Sequence, residues 1–125
     1  SRWLGQFTAR RREIAAILRH ELARHPLVRP LAAPRSTENH VYHLFVVRCE
    51  ERDRLAEHLK GHDVQTFVHY PIPVHRQPAA AGLSADPAGL RMAEQHADVC
   101  LSIPCHPQLD SAQLERMLEA LLAFR

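Results

Sequence analysis

Residues 67–78, reading FVHYPIPVHRQP, set the strongest local limit on how this chain can fold. Val64 to Tyr70 reads as a strand, and Pro71 and Pro73 stop it, because neither can donate to a sheet ladder. Proline also pushes the residue before it toward extended geometry, so Tyr70 and Ile72 are constrained as well. His69, Tyr70, His75, Arg76 and Gln77 are therefore carried on a short, stiff path. Rigid polar loops at strand ends are where binding residues collect. The plainer alternative is a strand end whose polar side chains only face water, and spacing alone leaves both readings open. Either X-Pro bond is open to the cis form.

The chain of 125 residues fits one domain, large enough to bury a core without metal or disulfide staples. A formal net charge of +2 is too small to argue for nucleic acid, and the Arg10-Arg11-Arg12 run reads as a solvated helix face. The sixteen Lys and Arg residues include a single lysine, Lys60. Cys49, Cys100 and Cys105 are an odd set without framework spacing, which favours free thiols in a reducing compartment. With no apolar run approaching the ~20 residues of a membrane span and no secretory segment at the start, the expectation is a cytoplasmic protein, not a membrane one.

Taken in order, Ser1 to about Ala23 is a helix with Leu4, Phe7, Ile14, Ile17, Leu18 and Leu22 near helical spacing, ended by Pro26. It starts without a cap or an initiator Met, as a cut from something longer, a tag or a processing event would leave it. Residues 27–39, with Pro30 and Pro34, read as an extended connector. Val41 to Arg48 is the clearest strand, apolar on both alternating sets and therefore central, with His43 read as a core histidine. Glu51 to Lys60 is a short helix capped by Gly61. Gly82 to Asp86 is a turn, and Asp86-Pro87 opens a helix running to about Ala97. Val99 to Ile103 is the third strand, on which Cys100 alternates with the inward Val99 and Leu101. Asp110 and Gln113 form a capping box for a last helix with Leu114, Met117, Leu118, Leu121 and Leu122 on one face. The expectation is an α+β domain, a small three-stranded mainly antiparallel sheet covered by helices, divided as 1–40 (helix and connector) and 41–125.

Ten histidines invite a metal reading, with His69 and His75, or Cys100, Cys105 and His106, as ligands. No pair has the tight spacing of a zinc site, so no metal is expected. Cys105 beside His106 is a poor nucleophile pair, since adjacent residues seldom point at each other. Only four glycines occur, none at phosphate-loop spacing. Lys60 is explained by its place at a helix C-terminus, where a cation suits the dipole.

The segments VYHLFVVR, RDRLAEHLKGHDVQTFVHYPIPVHRQPAA and AEQHADVCLSIPCHPQLDSAQLERM resemble, in order and spacing, the C-terminal part of the DegT/DnrJ/EryC1/StrS family of pyridoxal-phosphate-dependent sugar aminotransferases. The most specific pieces are His69-Tyr70-Pro71 with Pro73, His75 and Gln77, then Leu101-Ser102-Ile103-Pro104 with His106-Pro107. The resemblance implies the small domain of a fold-type I enzyme, a large domain outside this chain, and a homodimer with shared active sites. It also implies transfer of an amino group, usually from glutamate, to a nucleotide-linked keto sugar. In such enzymes a large-domain lysine forms the Schiff base with pyridoxal 5'-phosphate. That region is not in this sequence, and the role does not pass to Lys60, so the chain alone should not transaminate. The resemblance places His69 and Tyr70 at the mouth of the sugar pocket, with His75 shaping the same wall. No catalytic or cofactor-binding residue is assigned. The second reading is a non-catalytic binding or interaction module that keeps only the domain fold.

Overall fold

The computed structural model describes residues 2–83 and 86–125. Four helices, α1 (Arg2–Glu21), α2 (Arg52–Lys60), α3 (Arg91–Val99) and α4 (Ser111–Ala123), accompany three strands, β1 (Arg29–Pro30), β2 (Phe45–Arg48) and β3 (Cys100–Ile103). The sheet has the order β1-β2-β3 and is antiparallel throughout. The α+β architecture with a three-stranded antiparallel sheet is thus the one the sequence led to, with β2 in the centre.

The pleat sorts the residues. Phe45 pairs with Ile103 and Val47 with Leu101, so these four lie on one face, while Val46, Arg48, Cys100 and Ser102 lie on the other. The first face is roofed by Ile14, Leu18 and Leu22 of and just beyond α1, Leu55 and Leu59 of α2, and Leu114, Met117 and Leu121 of α4, all in one buried cluster. α1 therefore belongs to the core of residues 41–125. α4 starts with the expected capping box: Asp110 Oδ1 accepts from the Gln113 N–H at 2.7 Å, and Gln113 Oε1 accepts from the Asp110 N–H at 3.0 Å. Among the described residues no helix is long and apolar enough to cross a membrane.

Two of the expected strands hold in shortened form and one does not. Val64 to Tyr70 is not a strand: only Phe67 joins the sheet, exchanging both backbone hydrogen bonds with Ser102 at 2.7 and 3.3 Å. Extending that antiparallel register would set Gln65 against Pro104, which has no N–H to give, and Pro71 closes the other end. The third strand comes instead from the connector. Arg29 and Pro30 pair with Arg48 and Val47 as β1, an edge position where the donorless Pro30 is tolerated.

β2 begins at Phe45, not Val41, because Tyr42 adopts a left-handed φ of 48° and turns the chain. Its N–H is accepted by His40 Nδ1 at 3.0 Å, and its ring stacks on Phe45. The Arg19 guanidinium lies over both rings and donates to the Leu31 carbonyl at 2.7 Å. Arg12 likewise donates to the carbonyls of Glu38 and His40. Part of the arginine-rich helix thus fastens the connector. As a result of the Tyr42 turn, His43 is exposed and not a core residue.

Other boundaries move for local reasons. Asp86 does not cap a helix; its Oδ1 accepts from the Ala88 N–H in a tight turn, Gly89 takes a φ of 75°, and α3 starts at Arg91. The middle of the expected Gly82–Asp86 turn lies outside the described residues. Gly61 is the C-cap of α2 in right-handed geometry, and the left-handed residue is Asp63, at φ 59°. Cys100 alternates with the buried Val99 and Leu101 as expected, and is itself buried, as are all four residues of β3.

Among the described residues His25 is one of two buried polar ones. Its Nε2 donates to the Leu121 carbonyl at 3.0 Å, and its Nδ1 accepts from the N–H groups of Val28 at 2.9 Å and Leu27 at 3.2 Å. Both nitrogens are used as only a neutral ring can use them. Burial lowers its pKa from the ordinary 6.5. The unfolded chain therefore takes up this proton before the folded one does. The stability His25 contributes should be intact above the unfolded pKa of about 6.5 and decline as pH falls below it. Urea midpoints measured from pH 8 to pH 5 should show this decline, and His25→Gln should be less stable at pH 8 with a flatter profile.

Candidate functional site

The backbone exchange between Phe67 and Ser102 fixes where the following residues leave the sheet. Two residues on, the His69 ring sits against β3, with Nδ1 2.8 Å from Ser102 Oγ. The peptide between His69 and Tyr70 is cis, and those preceding Pro71 and Pro73 are trans. His69 lines a cavity of about 450 Å³ together with His43, Phe67, Ser102, His106 and Arg116. Its wall mixes imidazole, hydroxyl and guanidinium groups with apolar surface from Ile103 and Met117. That composition suits a polar, oxygen-rich ligand with one less polar side.

Tyr70 is 71% exposed, and its ring meets His69 edge-on with centroids 5.4 Å apart. It opens onto a different concavity, of about 520 Å³, shared with Ile72, Val74, His75, Leu83 and His96. Thus His69 and Tyr70 are neighbours at the rim between two hollows, and His75 lines the second with Tyr70.

His75 is held by Glu94 of α3. Its Nε2 is 3.0 Å from Glu94 Oε1, and Arg76 donates to the same oxygen through Nε at 2.9 Å and Nη2 at 2.7 Å. Hydrogen bonds from His75, and then from Arg76, hold the Glu94 carboxyl below its ordinary pKa. Gln77 donates more weakly, to the Ile72 carbonyl at 3.4 Å. Neither Ser102 as a partner of His69 nor Glu94 as a partner of His75 was found from sequence. The separations are 33 and 19 residues, and no local pattern announces them.

The other chemical groups lie elsewhere. Burial pushes the thiols of Cys49 and Cys100 up, and that of Cys105 up to about 11, which leaves the last a poor nucleophile at neutral pH. Cys105 Sγ points to the Arg11 carbonyl at 3.6 Å. Among the described residues no three His, Cys, Asp or Glu side chains converge as metal ligands. Lys60 stands exposed at the end of α2, 3.8 Å from Glu57, and lines neither hollow beside His69 and Tyr70. Among the exposed large apolar side chains, Trp3, Leu4 and Phe7 cluster at the start of α1, and Ile72, Val74, Leu83 and Leu90 line the second hollow.

The chain belongs to the DegT/DnrJ/EryC1/StrS aminotransferase family, whose model matches residues 2–122. It is 38% identical over 122 residues to the erythromycin biosynthesis sensory transduction protein EryC1 of Saccharopolyspora erythraea, covering 98% of this chain and 33% of that protein. It is 39% identical over 118 residues to dTDP-3-amino-3,4,6-trideoxy-alpha-D-glucose transaminase of Streptomyces venezuelae, covering 94% of this chain and 31% of that enzyme. The chain therefore spans about a third of the length of these relatives. Among solved structures, DesV of S. venezuelae superposes with a TM-score of 0.83 at 38% identity, over 93% of this chain and 31% of that one. The aminotransferase TlmJ of Streptoalloteichus hindustanus gives 0.84 at 27% identity, over 98% and 32%.

Among the described residues, one carboxylate oxygen receives every side-chain hydrogen bond that ties His75 and Arg76 to α3. Glu94→Gln should therefore raise backbone hydrogen exchange over residues 73–77 several-fold while leaving exchange in β2 and β3 unchanged. Uniform exchange changes across the sheet would show instead that Glu94 supports the whole fold.

Proposed function

We propose that this chain is the small, C-terminal domain of a pyridoxal-phosphate-dependent aminotransferase that transfers an amino group, from glutamate, to a nucleotide-linked keto sugar. The observation that carries this reading is a match along 94% of the chain, at 39% identity, to an enzyme named as a dTDP-amino-sugar transaminase. In this reading residues 1–40 are the helix and connector leading from a large domain, and 41–125 are the small domain proper. The open Trp3, Leu4 and Phe7 surface is what a helix entering from a neighbouring domain would present. The complete enzyme would be a cytoplasmic homodimer with shared active sites. Buried, unbridged thiols suit a reducing compartment.

The residues present do not fit covalent attachment of the cofactor. The one lysine is exposed on a helix end beside Glu57, away from both hollows. When bound, pyridoxal 5'-phosphate supplies the electron sink for amino transfer, and in this reading its lysine lies in the large domain. The work left to this chain is recognition. His69 and the Tyr70 hydroxyl offer neutral hydrogen-bonding groups to sugar hydroxyls or a phosphate without requiring a full countercharge. His75, clamped by Glu94, keeps the wall of the second hollow in place.

In the complete polypeptide, His69→Ala or Tyr70→Phe should lower kcat/KM for the nucleotide sugar about tenfold, as the loss of one ligand hydrogen bond implies, and leave the half-reaction with glutamate nearly unchanged. Equal loss of both half-reactions would count against a sugar-binding role. Lys60→Ala should leave both intact. A coding sequence upstream of Ser1 that lacks a lysine-bearing large domain would favour the non-catalytic module instead.

A further inference from the structure

Ser102 is the other buried polar residue among the described residues, 5% exposed, and stands in β3 on the face turned away from the helices. Its backbone N–H and carbonyl are both spent on Phe67. Its hydroxyl has one partner among the described residues, His69 Nδ1 at 2.8 Å. A buried hydroxyl hydrogen left without an acceptor costs more than the bond it could make gains. If Nδ1–H donated to Ser102, the hydroxyl hydrogen would have no acceptor among the described residues and would have to turn into the cavity that Ser102 also lines. If the hydroxyl donates to Nδ1, every polar atom of Ser102 is satisfied. The second arrangement puts the imidazole proton on Nε2, the ring nitrogen left available for the cavity.

We infer that Ser102 is a positioning residue: it fixes the His69 imidazole in rotation and tautomer so that Nε2–H is presented to the cavity as a donor selective for a ligand oxygen. The inference rests on the sugar-pocket reading of His69 and assigns its hydrogen-bond polarity. The same residue that pins the Phe67 backbone to β3 also sets the ring two residues later, so the backbone and side chain of Ser102 act on one short segment. A ring aimed in this way recognises a hydroxyl or phosphate oxygen and has no lone pair to offer a ligand ammonium or amide N–H.

The test is a double-mutant cycle in the complete polypeptide, read as KM and kcat for the nucleotide sugar, together with histidine ring ¹⁵N spectra of the 125-residue chain. Ser102→Ala should raise KM about fivefold to tenfold with kcat little changed, the loss of one oriented hydrogen bond. In a His69→Ala background the same substitution should change KM less than twofold, because its effect passes through the ring. Ser102→Thr, which keeps the hydroxyl, should restore most of the wild-type KM. In the spectra of the neutral ring Nε2 should carry the proton, and Ser102→Ala should move the Nδ1 resonance. Three results would overturn the inference: equal effects of Ser102→Ala in both backgrounds, an unchanged KM in the wild-type background, or a proton found on Nδ1. If His69→Ala itself leaves sugar use intact, the sugar-pocket reading fails first, and the ring spectra still decide the tautomer.

Discussion

The structure depends on burying one face of a very small sheet. β2 and β3 each contribute four residues, and of these Phe45, Val47, Leu101 and Ile103 face the helices. Each fully buried aliphatic or aromatic side chain contributes about 1.5–3 kcal/mol relative to exposure. Four such residues cannot offset the ordering of a hundred others, so the helices must bring most of the core. They do so from both ends of the sequence: α1 supplies Ile14 and Leu18, and α4 supplies Leu114, Met117 and Leu121. His25 joins these two ends directly, through its bond to Leu121.

With one face committed to the core, the other is free for chemistry. Ser102 and Cys100 occupy it, and the backbone of the segment carrying His69 joins the sheet beside them through one bridge, Phe67 with Ser102. That sparse attachment explains why His69 and Tyr70 lie at a rim and not within a sheet. Only Phe67 is bound as a strand residue would be, and the chain is released before the prolines.

How much of this was legible in the sequence follows from the range of the interactions. Helix α4 was read correctly to its capping box because Asp110 and Gln113 are three residues apart and the apolar spacing is regular. The central place of β2 was legible from its β-branched and aromatic residues. The pairing of Arg29 and Pro30 was not, because two residues, one a proline, carry no strand pattern. The turn at Tyr42 was hidden for a related reason: an aromatic residue within VYHLFVVR reads as strand, whereas the nearby His40 accepts its N–H and the distant Arg19 covers its ring. At the site, the motif residues were visible, whereas the partners that orient them, Ser102 and Glu94, depend on tertiary pairing.

The join between α3 and β3 has a mechanical meaning. Val99 ends the helix and Cys100 begins the strand with no intervening loop, and Arg52 holds the junction through the Ala97 carbonyl at 2.9 Å. Glu94 at one end of this continuous rod grips the wall of the second hollow, and Ser102 at the other end grips the histidine of the first. The two hollows are thus walled by residues anchored to one unbroken run of chain, residues 91–103.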